Sequence, residues 1–179
     1  MTTRRDSRAP GPRWTEERSE NHGIGGMDEV VVTVAFRGAA EDPRHLDLTT
    51  ALIERLADRL RQPVRLLFVL PDAMDSKPPS EAVRQGVARS LQRVAARLAR
   101  VSVVVAGDGF GPAVQRAIIA GFRPFIHAGY PLRVSGTVAE GIDYLVGPGL
   151  RGDELMRLYE DLTEGRAPSP KKSDRVAGG

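Results

Sequence analysis

Three short apolar runs, rich in β-branched residues, lie at residues 30–36, 64–70 and 101–106. None of them alternates strictly between apolar and polar residues, which is typical of strands covered on both faces, as in a parallel sheet between helices. Segments with an apolar residue at every third or fourth position separate the runs and predict amphipathic helices. The alternation of strand and helix predicts an α/β fold with a mostly parallel sheet and right-handed crossovers.

The first two predicted helices have clear apolar stripes. The helix at residues 45–61 carries Leu48, Leu52, Leu56 and Leu60 at every fourth position. The helix at residues 81–100, which begins after Ser80 as its N-cap, carries Val83, Val87, Leu91, Val94 and Leu98. Both stripes have the spacing of one buried helix face. A third helix is expected to begin near Pro112, after a glycine turn, and to end by about His127.

The last third of the chain predicts a short strand and two helices. Residues 132–135 form an expected edge strand. Thr137 and Glu140 match a capping box, in which a threonine and a glutamate three residues later satisfy each other's backbone amides at a helix start. The helix that follows would bury Ile142 and Leu145. A final helix at residues 153–163 presents Leu155, Leu158, Tyr159 and Leu162 to its neighbours.

Composition divides the chain into one domain and two tails. Residues 1–26 are rich in arginine, serine, proline and glycine, and we predict disorder there, with a short strand near Trp14 as the alternative. Residues 27–164 form the predicted α/β domain, and Met27 is a candidate initiation site. Residues 165–179 predict a disordered tail.

Bulk composition excludes several classes of site. The chain has no cysteine, which rules out disulfides, thiolate metal sites and cysteine nucleophiles. The formal charge is +3, from 26 basic and 23 acidic residues, and so mild an excess disfavours nucleic acid as a partner. No apolar run approaches the roughly 18 residues that span a bilayer. We expect a cytoplasmic protein without a membrane span.

The glycine turn after the third strand is the candidate ligand-binding element. It consists of Gly107, Asp108, Gly109, Phe110 and Gly111. Amide donors at the start of the following helix would favour a phosphate group. One residue separates the last two glycines, whereas the dinucleotide fingerprint has two there. We therefore predict a structural turn and no cofactor, with a nucleotide or lipid site at this turn as the alternative.

Other polar residues do not form a catalytic or metal-binding pattern. His22, His45 and His127 have no metal-ligand spacing, so surface or structural roles are expected for them. Asp72 and Asp75 are close enough in one loop to act as paired carboxylates, but solvated turn residues explain them more simply. We predict no catalytic residues and no metal.

Four arginines form a candidate interaction surface. Arg89, Arg93, Arg97 and Arg100 follow one another at steps of four, four and three, so they would share an exposed edge of the predicted second helix. Such a row would attract phosphates or an acidic partner, whereas the simpler interpretation is a solvated helix face.

Several of these segments resemble the STAS and SpoIIAA-like group, the fold of bacterial anti-sigma-factor antagonists. They are residues 30–38, 73–76, 107–111 and 137–142, and the resemblance covers about residues 27–146. It implies a sheet of four or five strands flanked by helices and a non-enzymatic module that binds a protein partner, such as a kinase-like anti-sigma factor. The apolar segment 122–126 is expected to belong to the core or to form a homodimer contact, rather than to line a lipid or small-ligand pocket.

The resemblance also implies a phosphorylation switch. In the family, the modified serine begins the helix after the second long strand. Asp75 and Ser76 lie near that place and are candidate partner-binding residues. Residues 77–79, Lys-Pro-Pro, replace the small residues of the family pattern, and Ser80 is the predicted helix cap. Ser76 and Ser80 are therefore the two candidate phosphorylation sites.

Overall fold

A computed structural model describes residues 13–36, 44–71, 81–107, 129–146 and 151–164, together with Ala113 and Arg116. These residues contain six strands: β1 (Trp14–Arg18), β2 (His22–Met27), β3 (Val30–Ala35), β4 (Val64–Leu70), β5 (Leu98–Val105) and β6 (Leu132–Ser135). They also contain four α-helices: α1 (Arg44–Leu60), α2 (Glu81–Arg93), α3 (Val138–Val146) and α4 (Gly152–Thr163). No helix in the described stretches is long and apolar enough to cross a membrane.

The six strands form one mixed sheet in which spatial order follows chain order, from β1 to β6. β1, β2 and β3 are antiparallel neighbours. β3, β4, β5 and β6 are parallel to one another. The α/β prediction and the shared direction of the three apolar runs are confirmed, and β6 is an edge strand as expected. The sheet has six strands rather than four or five.

Each face of the sheet has its own apolar core and its own pair of helices. α1 and α2 contact each other on the first face, where Leu52, Ile53 and Leu56 of α1 pack on strand residues such as Val31 and Leu66. α3 and α4 cover the second face with a separate cluster. Its members include Val32, Leu67, Val104, Ile142, Leu145, Leu155, Leu158 and Leu162. The leucine stripes predicted for α1 and α4 therefore lie in the two cores.

The second predicted helix is shorter than expected. α2 ends at Arg93, a 3₁₀ turn follows at Ala95–Arg97, and β5 already begins at Leu98. Val94 and Leu98 are buried, at 0% and 5% exposure, as the helical spacing predicted. They reach the core from a turn and a strand because Leu98 pairs with Val64 at the start of the neighbouring strand. The spacing was right about burial and wrong about the element.

The N-terminal prediction also requires correction. Residues 14–18 and 22–27 form an antiparallel hairpin, so the alternative of a short strand near Trp14 is confirmed and residues 14–26 are not disordered; every residue of β2 is buried. Gly25 lets two elements approach β2 closely: a Cβ atom there would lie 2.6 Å from the carbonyl oxygen of Trp14 and 3.3 Å from Leu158 of α4. This burial depends on distant elements, so local composition did not reveal it. Residues 1–12 and 165–179 lie outside the described residues.

The capping box at the start of α3 is confirmed. The Glu140 carboxylate accepts hydrogen bonds from the backbone amides of Gly136 and Thr137, at 3.0 and 3.2 Å. The Thr137 hydroxyl accepts one from the Glu140 amide at 3.2 Å. The bonds from Gly136 and Thr137 hold the pKa of Glu140 below its ordinary value.

We predict that Gly25→Ala destabilises the fold by about 2 kcal/mol, because the added methyl group would collide with the Trp14 backbone. Gly86→Ala is the matched control, since Gly86 lies within α2 and a Cβ there meets nothing within 4 Å. Alanine should stabilise that helix by about 0.5–1 kcal/mol. Urea denaturation followed by circular dichroism measures both changes. Equal effects of the two substitutions would contradict the close packing of β2.

We predict a pH-dependent contribution from Glu140. Because its folded-state pKa lies below the ordinary value of 4.5, its carboxylate stabilises the fold fully above that pH. The contribution disappears as pH falls through the lowered pKa. Glu140→Gln should therefore be less stable than the wild type at pH 7, and the difference should vanish in acid. Asp143→Asn, a charge removal elsewhere on α3, is the control in the same denaturation series.

Candidate partner-binding surface

Two arginines of the row predicted on the second helix, Arg93 and Arg97, form ion pairs with α1. Arg93 Nε lies 3.1 Å from Glu54 Oε1, and Arg93 Nη2 donates to the Thr50 hydroxyl at 3.1 Å. Arg97 pairs with Asp58, and this hydrogen bond raises the pKa of the Arg97 guanidinium. Glu54 and Asp58 are four residues apart on α1, so they form one acidic edge facing α2. Arg93 thus joins α2 to α1, and Arg97 joins the 3₁₀ turn to α1.

The other two arginines of the row separate from this edge. Arg89 is exposed on α2, where its Nε donates to the Gln85 carbonyl at 3.4 Å. Arg100 lies on β5 and faces the opposite side of the sheet, towards α3. The row predicted on one helix therefore does not exist as a single surface, because the helix ends at Arg93.

The structure assembles a different group of arginines at the amino ends of the parallel strands. Arg65, Arg100 and Arg133 lie near the starts of β4, β5 and β6. Arg65 is directly opposite Arg100, and Arg133 is opposite Ser102, two residues further along β5. Alternation along each strand directs all three side chains to the face covered by α3 and α4. We call Arg65, Arg100 and Arg133 the amino-end arginines.

Carboxylates of the turn between β2 and β3 balance the positive charge of Arg65, the amino-end arginine on β4. Arg65 Nη1 lies 3.6 Å from Glu29 Oε1, in the turn between β2 and β3. Arg151, which precedes α4, lies 2.5 Å from Asp28 and 3.9 Å from Glu29 through its Nη1. These ion pairs tie the start of α4 to the β2–β3 turn. Arg65 is therefore occupied by a structural pair.

Tyr144 organises the other side of the group. The Arg100 guanidinium carbon lies 5.1 Å from the centroid of the Tyr144 ring, and that of Arg133 lies 5.6 Å from it. Arg100 Nη1 also donates to the Tyr144 carbonyl at 2.7 Å, in the last turn of α3. A cation at this position stabilises a helix C-terminus. Arg100 is thus fixed by α3, whereas Arg133 is exposed on the edge strand.

Arg100 and Arg133 have no ion-pair carboxylate among the residues that the structure describes. The charge of Arg133 makes a small contribution to lowering the pKa of Glu140, whose carboxylate is already bound by two amides. Cation–π contacts restrict the guanidinium groups while leaving N–H donors at their edges. Such groups bind carboxylates or phosphates. Arg100 and Arg133 are therefore a candidate pair for binding an anion.

The glycine turn at the other end of β5 is described only at its first residue. Gly107 has a φ of 112°, which glycine adopts without strain. Arg116, a helical residue, donates through Nη1 to the carbonyls of Val105 and Gly107 at 3.0 and 3.1 Å. These hydrogen bonds hold the end of β5 in place, so Arg116 has a structural role. Residues 108–111 lie outside the described residues, so their ligand-binding role stays a prediction.

Two of the predicted isolated histidines come together. His22 on β2 and His45 on α1 are buried, at 2% and 4% exposure, with ring centroids 6.1 Å apart. His22 Nδ1 lies 3.0 Å from the Ser19 hydroxyl, and His22 Nε2 lies 3.1 Å from Glu17. No group of three potential metal ligands forms within the described part of the chain. Sequence reasoning missed this cluster because it did not predict β2.

A serine, a histidine and a glutamate are linked in the order of a catalytic triad, but their hydrogen bonds are those of a turn. They are Ser19, His22 and Glu17. The Ser19 oxygen accepts from the backbone amides of Asn21 and His22, at 3.2 and 3.1 Å. Two amide donors occupy the lone pairs that a nucleophile would use. Donation from Ser19 to Nδ1 then leaves the proton on Nε2 facing Glu17. The arrangement fixes the β1–β2 turn.

A groove of about 390 Å³ lies between β1 and α1. Trp14, Leu52, Leu56, Arg55 and Arg59 contribute to its lining. Leu52 and Leu56 are only 4% and 2% exposed, so little apolar surface is open to a ligand. Arg55 is also paired with Glu16 at 2.6 Å. The groove therefore provides no favourable site for a lipid.

Several predicted residues lie outside the described residues and stay predictions. They are Asp72, Asp75, Ser76, Ser80, Asp108, Gly109, Phe110, Gly111, the segment 122–126 and His127. The amino-end arginines were missed, although each stands near the start of an apolar run. Parallel strands begin at one edge of a sheet, so this position was a usable signal.

Searches against protein-family models, curated proteins and solved structures find no match to this chain.

We predict that Arg93→Glu is less stable than the wild type by about 1 kcal/mol, because it replaces attraction to Glu54 by repulsion. Arg89→Glu makes the same charge change on the same helix, but Arg89 has no carboxylate partner among the described residues, so its effect should be near zero. Urea denaturation at low salt measures both. In 1 M salt the two variants should converge. A salt-independent difference would contradict the electrostatic explanation.

Proposed function

We propose that the chain is a non-enzymatic regulatory module of the STAS and SpoIIAA-like kind, which binds a protein partner in the cytoplasm. The alternating elements and the capping box before α3 carry the resemblance. The described polar clusters support this proposal, because Ser19, His22 and Glu17 stabilise a turn and Arg116 stabilises a strand end. These groups have structural tasks.

The observation that carries the proposal is the arrangement of Arg100 and Arg133 around Tyr144. A free arginine side chain loses rotamer entropy when a partner orders it. Here α1 neutralises Arg93 and Arg97, while Tyr144 restrains two guanidinium groups without an ion-pair carboxylate in the described residues. Restraint lowers the conformational entropy that a partner must remove on binding. The surface is therefore preorganised for an acidic partner.

The resemblance and the positive charge of Arg100 and Arg133 together suggest the class of partner. A kinase-like anti-sigma factor is the partner that the resemblance implies, and a phosphate on Ser76 or Ser80 would add about two negative charges to the chain. The arginine surface lies at the amino ends of the parallel strands. Because Arg100 and Arg133 are positively charged, we propose that they bind an acidic patch on the partner, with Arg133 as the exposed contact.

We predict that Arg133→Glu abolishes capture of the native partner. The purified full chain would be immobilised as wild type, Arg133→Glu and Arg89→Glu, and exposed to cytosol of the source organism. Proteins retained would be quantified by mass spectrometry. Wild type and Arg89→Glu should retain the same protein, and Arg133→Glu should retain at least about tenfold less, because charge reversal opposes an acidic surface.

Circular dichroism and thermal unfolding of each variant verify that the bait is folded. For the captured protein, association should slow as salt rises from 50 to 500 mM, since steering by exposed charges is screened. Equal retention by wild type and Arg133→Glu, or no protein retained by the wild type, would contradict the proposed function.

A further inference from the structure

The geometry points to a site for two carboxylates carried by one extended acidic peptide segment, bound by Arg100 and Arg133 beside Tyr144. This inference rests on the proposed partner-binding function and specifies the chemistry of the partner. Arg133 is the exposed contact, and Arg100 is the fixed one, because the end of α3 positions it.

The spacing of the two arginines selects the spacing of the carboxylates. Adjacent strands lie about 4.8 Å apart and each residue advances about 3.3 Å, so the Cα atoms of Arg100 and Arg133 are separated by about 8 Å. Their guanidinium carbons lie within about 11 Å of each other, because both contact the same ring. Carboxylates two residues apart on an extended peptide project from one side at about 7 Å spacing. Adjacent carboxylates project from opposite sides.

Both guanidinium groups retain donors for this contact. A guanidinium has five N–H donors, and Arg100 uses one on the Tyr144 carbonyl. Arg133 makes no hydrogen bond with another described residue. The cation–π contacts occupy guanidinium faces, while carboxylates bind the N–H edges in the plane. Ring contact and carboxylate binding are therefore compatible on the same side chain.

The same surroundings favour a peptide over nucleic acid. Asp143 is exposed on α3 next to Tyr144, and Glu140 lies one turn earlier. These two carboxylates disfavour ligands with many negative charges, such as a continuous phosphate backbone, more than a peptide with two. The Tyr144 ring already contacts two guanidinium groups, so it is not an open platform for base stacking.

A pair of isomeric peptides tests the inference on the full chain. The probes are Gly-Thr-Glu-Thr-Glu-Thr-Gly and Gly-Thr-Thr-Glu-Glu-Thr-Gly, both with blocked ends, titrated into labelled protein and followed by amide chemical shifts. The first peptide should bind at least about threefold more tightly and shift the amides of residues 132–135 and 144. Arg133→Glu should weaken its binding about tenfold, whereas Arg89→Glu should leave it unchanged.

Arg133→Gln provides a second variant that removes charge without reversing it, and it should show an intermediate loss. Equal affinity of the two peptides, or binding to Arg133→Glu as tight as to the wild type, would overturn the inference. Tighter binding of a DNA oligonucleotide of equal charge at the same residues would also overturn it. If partner capture still depends on Arg133 while the peptides bind equally, the proposed function survives and only the two-carboxylate site fails.

Discussion

The close approach of the C-terminal helices to the sheet is the contact on which this architecture depends. Strands that follow one another in chain order, joined by crossovers of one hand, place their connecting helices on one face. α1 and α2 occupy that face, so the other face needs elements from later in the chain. α3 reaches it through Gly141, where a Cβ atom would lie 2.5 Å from Val104 and 3.0 Å from the Ser102 hydroxyl. The Ser102 hydroxyl is buried there and has no hydrogen-bond partner among the residues that the structure describes.

The two faces of the sheet also differ in the groups that contact their arginine side chains. On the first face, α1 supplies a carboxylate for each of Arg93 and Arg97, and these ion pairs join α1 to α2 and to the 3₁₀ turn that follows it. On the second face, Tyr144 supplies a ring and a carbonyl for Arg100, neither of which cancels its charge. A count of arginines in the sequence does not distinguish these situations. The distinction comes from which helix lies beside each strand.

Sequence reasoning recovered the elements whose signal is local. Apolar runs located β3, β4 and β5, and the Thr137 and Glu140 pair located the start of α3. It missed β2, whose three glycines give no apolar pattern and whose burial comes from Trp14 and α4. It also extended α2 into β5, because burial of Val94 and Leu98 fits a helix period as well as a turn and a strand.

The candidate surface was predictable in part. Arg100 was identified, but on the wrong element and with the wrong neighbours, since the ring of Tyr144 is contributed by a helix that is distant in sequence. Arg133 was visible as a charged residue near the start of an edge strand. Its relation to Arg100 follows from the parallel register of β5 and β6, which only the assembled sheet provides.

α4 packs on the hairpin of β1 and β2, although the two lie far apart in the sequence. Arg18 donates to the carbonyl of Glu164, across 146 residues of sequence, and Leu158 and Leu162 pack against the glycines of β2. The ribosome synthesises the hairpin well before it synthesises α4. The face of β2 that α4 covers therefore lacks this cover until α4 has been synthesised, so this long-range contact forms late during synthesis.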